Sequence, residues 1–216
     1  MYQLDRQRTG VASSSALLGQ VLGLTAVGFL ITAAGAYLTQ GVPYGAAMIA
    51  MLVGFGFLIA ISATRANPAL SLAMFYAFTA CEGIGLGPVI GRYVRGAGPD
   101  VVVEAAVTTG LGMFVLAGIV AVTSFDFRKL SGIAFGLLIG LVLAGIVSIF
   151  VQFLHPGLYA WATLAVFTLL VLVDFGRIRA GGDGATAIEL ATSIYLDAIN
   201  IFMALLQIFG LRSRDD

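Results

Sequence analysis

Val173–Asn200 reads VDFGRIRAGGDGATAIELATSIYLDAIN. Its two ends are apolar runs of the kind that cross membranes, and each carries an acid: Asp174 in the first, Asp197 in the second. A glycine-rich polar turn, Gly181-Gly182-Asp183-Gly184, joins them. An ionisable side chain at bilayer depth is costly and marks a functional site. Two of them on helices adjacent in sequence can meet and share a proton. The rest of the chain reads as the scaffold that encloses this pair.

Composition supports that frame. The chain is 60% hydrophobic and 10% charged, with a mean hydropathy of +1.03. Soluble domains carry about 25% charged residues, so this is a polytopic membrane protein. Net charge is zero with no basic block, which argues against a nucleic-acid partner. One cysteine, Cys81, allows no intramolecular disulfide. One histidine, His155, with that cysteine makes neither a zinc site nor a Cys/His catalytic pair. The glycines of Glu82-Gly83-Ile84-Gly85-Leu86-Gly87 lie inside an apolar run rather than after a strand, so they are not a nucleotide fingerprint. No catalytic residue is expected, and no cofactor.

Residues 1–15 form a polar tail with Arg6 and Arg8. Residues 16–211 form one transmembrane domain, and 212–216 a C-terminal tail. Ala16–Leu38 is longer than a signal-peptide core and reads as a retained first span. Further spans are expected at Tyr44–Ala63, Ala69–Ile90, Asp100–Thr123, Gly132–Phe153, Leu158–Phe175 and Ile188–Leu211. The third should end near Pro88, followed by a loop over Gly91–Pro99. That gives an all-α fold of about seven spans; the last run is the candidate for a re-entrant segment instead. Basic residues orient it. With the N-terminus cytoplasmic, inner segments hold Arg6, Arg8, Arg65, Arg128, Lys129, Arg177 and Arg179, and outer ones hold Arg92, Arg95, Arg212 and Arg214. The bias favours a cytoplasmic N-terminus and an external C-terminus. In the fifth span Gly132, Gly136, Gly140, Ala144 and Ser148 recur every four residues, a stripe expected to pack within the chain rather than form a dimer face.

Asp174 alone reads equally as an interfacial carboxylate paired with Arg177 at i+3. Asp197 is harder to explain that way, because it stands more than two turns from the loop among Ile194, Tyr195, Leu196, Ala198 and Ile199. It lies about five residues, or about 8 Å, deeper than Asp174. Contact between them needs tilt, a shifted loop or a water. If they meet, both cannot ionise cheaply, and the pair titrates as a unit. Their oxygens would also suit Ca²⁺ at a weak, transient site. Arg65, at the inner end of the second span, is either a third member or an ordinary positive-inside anchor. Glu82, at mid-span, is a cation waypoint or a protonated acid bonded to backbone. Asn200 lies one turn beyond Asp197 and can hydrogen-bond it. Glu104, Asp126 and Glu189 lie near span ends and read as solvated.

Ser193-Ile194-Tyr195-Leu196-Asp197-Ala198-Ile199-Asn200-Ile201-Phe202 resembles the last-helix signature of the transmembrane Bax inhibitor motif family, roughly LYLDxINLF. Val173-Asp174 before a basic turn resembles that family's preceding-helix aspartate. Ala80-Cys81-Glu82-Gly83-Ile84-Gly85-Leu86-Gly87-Pro88 is similar to its third-span segment, and Ser124-Phe125-Asp126-Phe127 to the loop before its fifth span. The likeness runs from about Arg65 to the end. It implies seven helices with the last one central, surrounded by the other six. It implies a pH-sensitive Ca²⁺ leak in the bacterial inner membrane. Asp174 and Asp197 would form the pH sensor and transient cation site, with Arg65 as the latch that closes on them. Tyr195, beside Asp197 in the signature, joins Glu82 and Asn200 as a pore or supporting residue. One departure is the neutral stretch Val53-Gly54-Phe55, where a bacterial relative has an acid. The competing expectations are a regulator of a membrane partner, such as a membrane protease, with no flux of its own, and a proton-coupled transporter.

Overall fold

The computed structural model describes residues 2–151 and 155–212. Met1, the end of the fifth expected span at Phe153 and residues 213–216 of the expected tail lie outside the described residues. Seven α-helices follow one another: α1 (Tyr2–Leu38), α2 (Tyr44–Ala63), α3 (Pro68–Ala97), α4 (Pro99–Val122), α5 (Ser131–Val151), α6 (Pro156–Arg179) and α7 (Ala187–Arg212). A 3₁₀ turn at Phe127–Leu130 precedes α5. Among the described residues there is no strand. All seven helices are long and apolar enough to cross a membrane. In hydrocarbon every backbone group must be bonded within its own segment, and the helix achieves that. The protein is an all-α integral membrane protein. The last run is one continuous helix, not a re-entrant one. α1 starts at Tyr2, within the stretch expected to be tail, and its apolar part runs from Ser14 to Leu38.

Local chemistry sets several of the ends. The Asn67 side chain accepts the Leu70 N–H at 3.2 Å, starting α3 at Pro68. His155 Nδ1 accepts the Gly157 N–H at 3.2 Å, starting α6 at Pro156. Thr186 and Glu189 form a reciprocal capping box at the head of α7: Glu189 Oε2 accepts the Thr186 N–H at 2.8 Å, and Thr186 Oγ1 accepts the Glu189 N–H at 3.2 Å. Glu189 is therefore engaged rather than solvated.

The third helix does not stop near Pro88; it continues to Ala97. Proline removes the N–H that would reach the carbonyl of Ile84. The Thr39 hydroxyl lies 3.5 Å from that carbonyl and from the carbonyl of Gly83. That hydroxyl, just past the end of α1, gives its one hydrogen to the Gly35 carbonyl at 2.7 Å and only skirts the carbonyl that Pro88 leaves without a helical donor; α3 continues regardless, and the expected loop over Gly91–Pro99 is mostly helix.

The chain divides into two compact units. The first holds α1, α2, nearly all of α3 and residues 181–195, including the first part of α7. Its core is Phe75, Phe78, Ile61, Val21, Leu190, Ile194 and Tyr195, all fully buried. α1 and α3 cross at glycines: a Cβ on Gly83 would lie 2.7 Å from the Thr32 carbonyl oxygen, and one on Gly87 would collide with Thr39. Gly83, Gly87 and Gly91 form a stripe four residues apart that brings the two backbones together.

The second unit holds α4, α5, α6 and α7 from Leu196 onward. α6 packs on α4, on α5 and on the 3₁₀ turn. Gly176 makes room for that turn, since a Cβ there would meet Phe127 Cβ at 3.3 Å. α5 buries Ala134 and Leu141, and Tyr159 of α6 donates to the Leu141 carbonyl at 3.3 Å. The expected stripe is not this face. Gly132, Gly136 and Gly140 are exposed, and a Cβ on any of them would meet nothing within 4 Å. A period of four identifies a face, and the residues opposite decide what it packs on.

Candidate functional site

Asp174 stands five residues before the end of α6 (179 − 174), and Asp197 ten residues into α7 (197 − 187). Both belong to the second unit. Asp174 is 8% exposed and Asp197 5%. They are electrostatic neighbours: the charge of Asp174 acts on Asp197. Both sequence-predicted acids are thus buried in the second unit, on helices long and apolar enough to span the membrane.

The two carboxyls differ in their partners. Asp174 Oδ1 accepts a hydrogen bond from Arg177 Nη1 at 3.2 Å, one turn further along α6. Asp197 Oδ2 is buried and has no hydrogen-bond partner. A buried polar atom without a partner is rare in folded proteins and costs about 1–3 kcal/mol. It is where a proton or a cation is best received. Asn200, expected as a donor to Asp197, gives its Nδ2 hydrogen to the Leu196 carbonyl at 2.8 Å instead, back along its own helix.

Arg179, on the same helix as Asp174, does a different job. Its Nη1 donates to the Val120 carbonyl and, at 2.6 Å, to that of Thr123; its Nη2 donates to Phe125 at 2.6 Å. A cation at a helix C-terminus satisfies carbonyls that lack intrahelical donors. Arg179 thus fixes the end of α6 to the end of α4. The sequence showed only an arginine in a basic turn.

The remaining sequence-predicted residues lie in the first unit. Arg65 Nη2 donates to the Gly184 carbonyl at 2.8 Å, and its Nε is 3.9 Å from Glu189 Oε1. Glu82 is half-buried in α3, with no hydrogen bond or ion pair among the described residues. Its charge acts on Tyr195. Tyr195 is fully buried, and its hydroxyl lies 2.5 Å from Thr32 Oγ1. Thr32 in turn donates to the Thr79 carbonyl at 2.9 Å. The Tyr195 ring meets Phe29, Phe75 and Phe78 with centroids 5.2, 5.9 and 5.6 Å away. Tyr195 is a packing anchor for α1, α3 and α7. Thr32 and Thr79, which complete its polar contacts, carried no sequence signal beyond being hydroxyls in apolar runs.

Among the described residues no group of three His, Cys, Asp or Glu side chains could hold a metal ion. Ca²⁺ takes six to eight oxygens in a resident site.

Known proteins resemble this chain over most of its length. A protein of Pseudomonas aeruginosa, PA2604, is 31% identical over 222 residues, covering 100% of this chain and 98% of its own. The modulator of FtsH protease YccA of Escherichia coli K12 is 31% identical over 172 residues, covering 78% of this chain and 77% of its own. The inner membrane protein YccA of Escherichia coli O6:H1 matches to the same extent. Residues 14–214 match the family described as inhibitor of apoptosis-promoting Bax1. From the first span to the end, through Asp174 and the Tyr195–Asn200 signature, this chain belongs to that Bax inhibitor family.

Proposed function

We propose that this protein is a pH-sensitive calcium leak of the bacterial inner membrane, gated by protonation of Asp174 and Asp197, and not an enzyme. The observation that carries the reading is Asp197 Oδ2, buried without a hydrogen-bond partner and within the electrostatic reach of Asp174. A site in that condition has two occupants that relieve it, a proton and a cation. The proposed switch uses both. With the pair ionised, Arg65 latches onto it and the path is closed. Acidification neutralises the pair, the latch loses its counter-charge, and Ca²⁺ passes down its gradient. Selective protonation shifts the two-state equilibrium only as far as the proton's differential affinity allows, so the response to pH is graded. Purified protein in liposomes tests this: Asp197→Asn should flatten the pH profile of Ca²⁺ influx, and an unchanged profile would remove Asp197 from the sensor.

A second reading has its own observation. The relative in Escherichia coli K12 is a modulator of the FtsH protease. By that likeness the chain would restrain a membrane protease and pass no ions itself. Flux in liposomes containing only this protein separates the two, because a pure modulator has none. Co-purification with a membrane protease of that kind would support the second.

A further inference from the structure

Arg65 follows α2, and Glu189 stands in the first turn of α7, both in the first unit. The Glu189 carboxylate is divided between two tasks. Oε2 accepts the Thr186 N–H at 2.8 Å, while Oε1 lies 3.9 Å from Arg65 Nε. The guanidinium also donates through Nη2 to the Gly184 carbonyl at 2.8 Å. That carbonyl is placed by a turn in which Gly181, Gly182, Asp183 and Gly184 have φ of 90°, 93°, 50° and 79°. Three glycines and an aspartate are residues that enter this left-handed region at low cost. The acceptors are therefore built into the local fold. Glu189 is 18% exposed and Arg65 56%, so the acid is fixed and the cation is the member free to move.

We propose that Glu189, with the Gly184 carbonyl, is a second seat for Arg65 that competes with the Asp174–Asp197 pair for its guanidinium. This rests on the reading of Arg65 as the latch. One guanidinium has two carboxylate destinations, and the free-energy difference between them sets how often the latch is closed. Glu189 is a positioning residue, which acts on the leak only through Arg65. Exposed ion pairs are weak, so Glu189 biases the equilibrium and does not lock it.

Glu189→Gln is the informative variant, because glutamine at this position also closes a capping box. It removes the charge and leaves the head of α7 capped. Ca²⁺ influx is measured in proteoliposomes at the pH of half-maximal wild-type flux, for wild type, Glu189→Gln, Arg65→Gln and the double variant. Glu189→Gln should lower flux roughly 1.5- to 5-fold, the range an exposed pair supports. Arg65→Gln should raise it, and the double variant should match Arg65→Gln alone. The thermal midpoints of the four proteins in detergent should be non-additive. Wild-type flux left unchanged by Glu189→Gln, or an equal loss in both Arg65 backgrounds, overturns the second seat and leaves the leak standing. No wild-type flux above empty liposomes overturns the leak and this inference together.

Discussion

Tyr195 and Asp197 stand two positions apart on α7 and meet their surroundings in opposite ways. The tyrosine is fully buried with its hydroxyl bonded and its ring enclosed by phenylalanines. The aspartate is buried with one oxygen unanswered. Tyr195→Phe keeps the ring packing and removes one hydrogen bond between helices, which in membranes is worth about 0.6 kcal/mol and up to about 1.7. A drop in thermal midpoint of that order is expected in detergent, and no drop would mean that the Thr32 contact contributes nothing. Asp126 supplies a contrast outside the spans. Arg128 donates to it through Nε at 2.8 Å and Nη2 at 2.9 Å, and this fork holds its carboxyl below the usual carboxylate range. The folded value is depressed, so its contribution to stability is complete above the unfolded pKa of about 3.9. It is lost as pH falls through the folded value. Carbon-detected NMR of Asp126 should show titration below the ordinary range, and Arg128→Gln should bring it back up. At this scale the sequence marked the acids, because charge in an apolar run stands out. It could not assign their partners. Arg65, Arg177 and Arg179 look alike in sequence, and the structure gives them three different acceptors.

The two glycine stripes separate what a helix offers from what it meets. On α3, Gly83 lies against Thr32 of α1, and Gly87 and Gly91 against Thr39 and Gln40 just beyond it, without room for a methyl group, whereas Gly132, Gly136 and Gly140 on α5 face open space. Gly83→Ala should destabilise the protein by about 1–3 kcal/mol, since backbone must shift to admit the side chain. Gly136→Ala should cost nothing measurable. Thermal unfolding of both variants in detergent checks this, and equal midpoints would contradict the assigned α1–α3 crossing. The spacing was legible in both helices; the opposing surface was not, because it comes from residues about fifty positions away. Pro88 makes the same point. Its missing N–H is a local fact that argues for an end, yet α3 continues past it, closely packed at Gly83 against α1 and at Gly87 against Thr39. The capping box at Thr186–Glu189 is written in the sequence as Thr-x-x-Glu before an apolar run, and a position near a span end does not by itself tell a capping acid from a solvated one.

At the scale of the whole chain, seven spans were legible because the thickness of the hydrocarbon fixes how long an apolar run must be. Family membership was legible because the Tyr195–Asn200 signature keeps its residues in order. Topology is a further prediction. With Cys81 replaced by serine, a cysteine at position 155 should react with an impermeant reagent added outside intact cells, and one at position 129 should not. The reverse labelling would invert the orientation and put the Asp174 end of α6 outside. The most direct test of the gated leak is Ca²⁺ influx into proteoliposomes across a series of pH values, for wild type beside Asp174→Asn and Asp197→Asn. Gating by the pair predicts wild-type flux that rises on acidification and loses its pH dependence in both variants. Absence of wild-type flux above empty liposomes at every pH would contradict it and leave the partner-modulator reading.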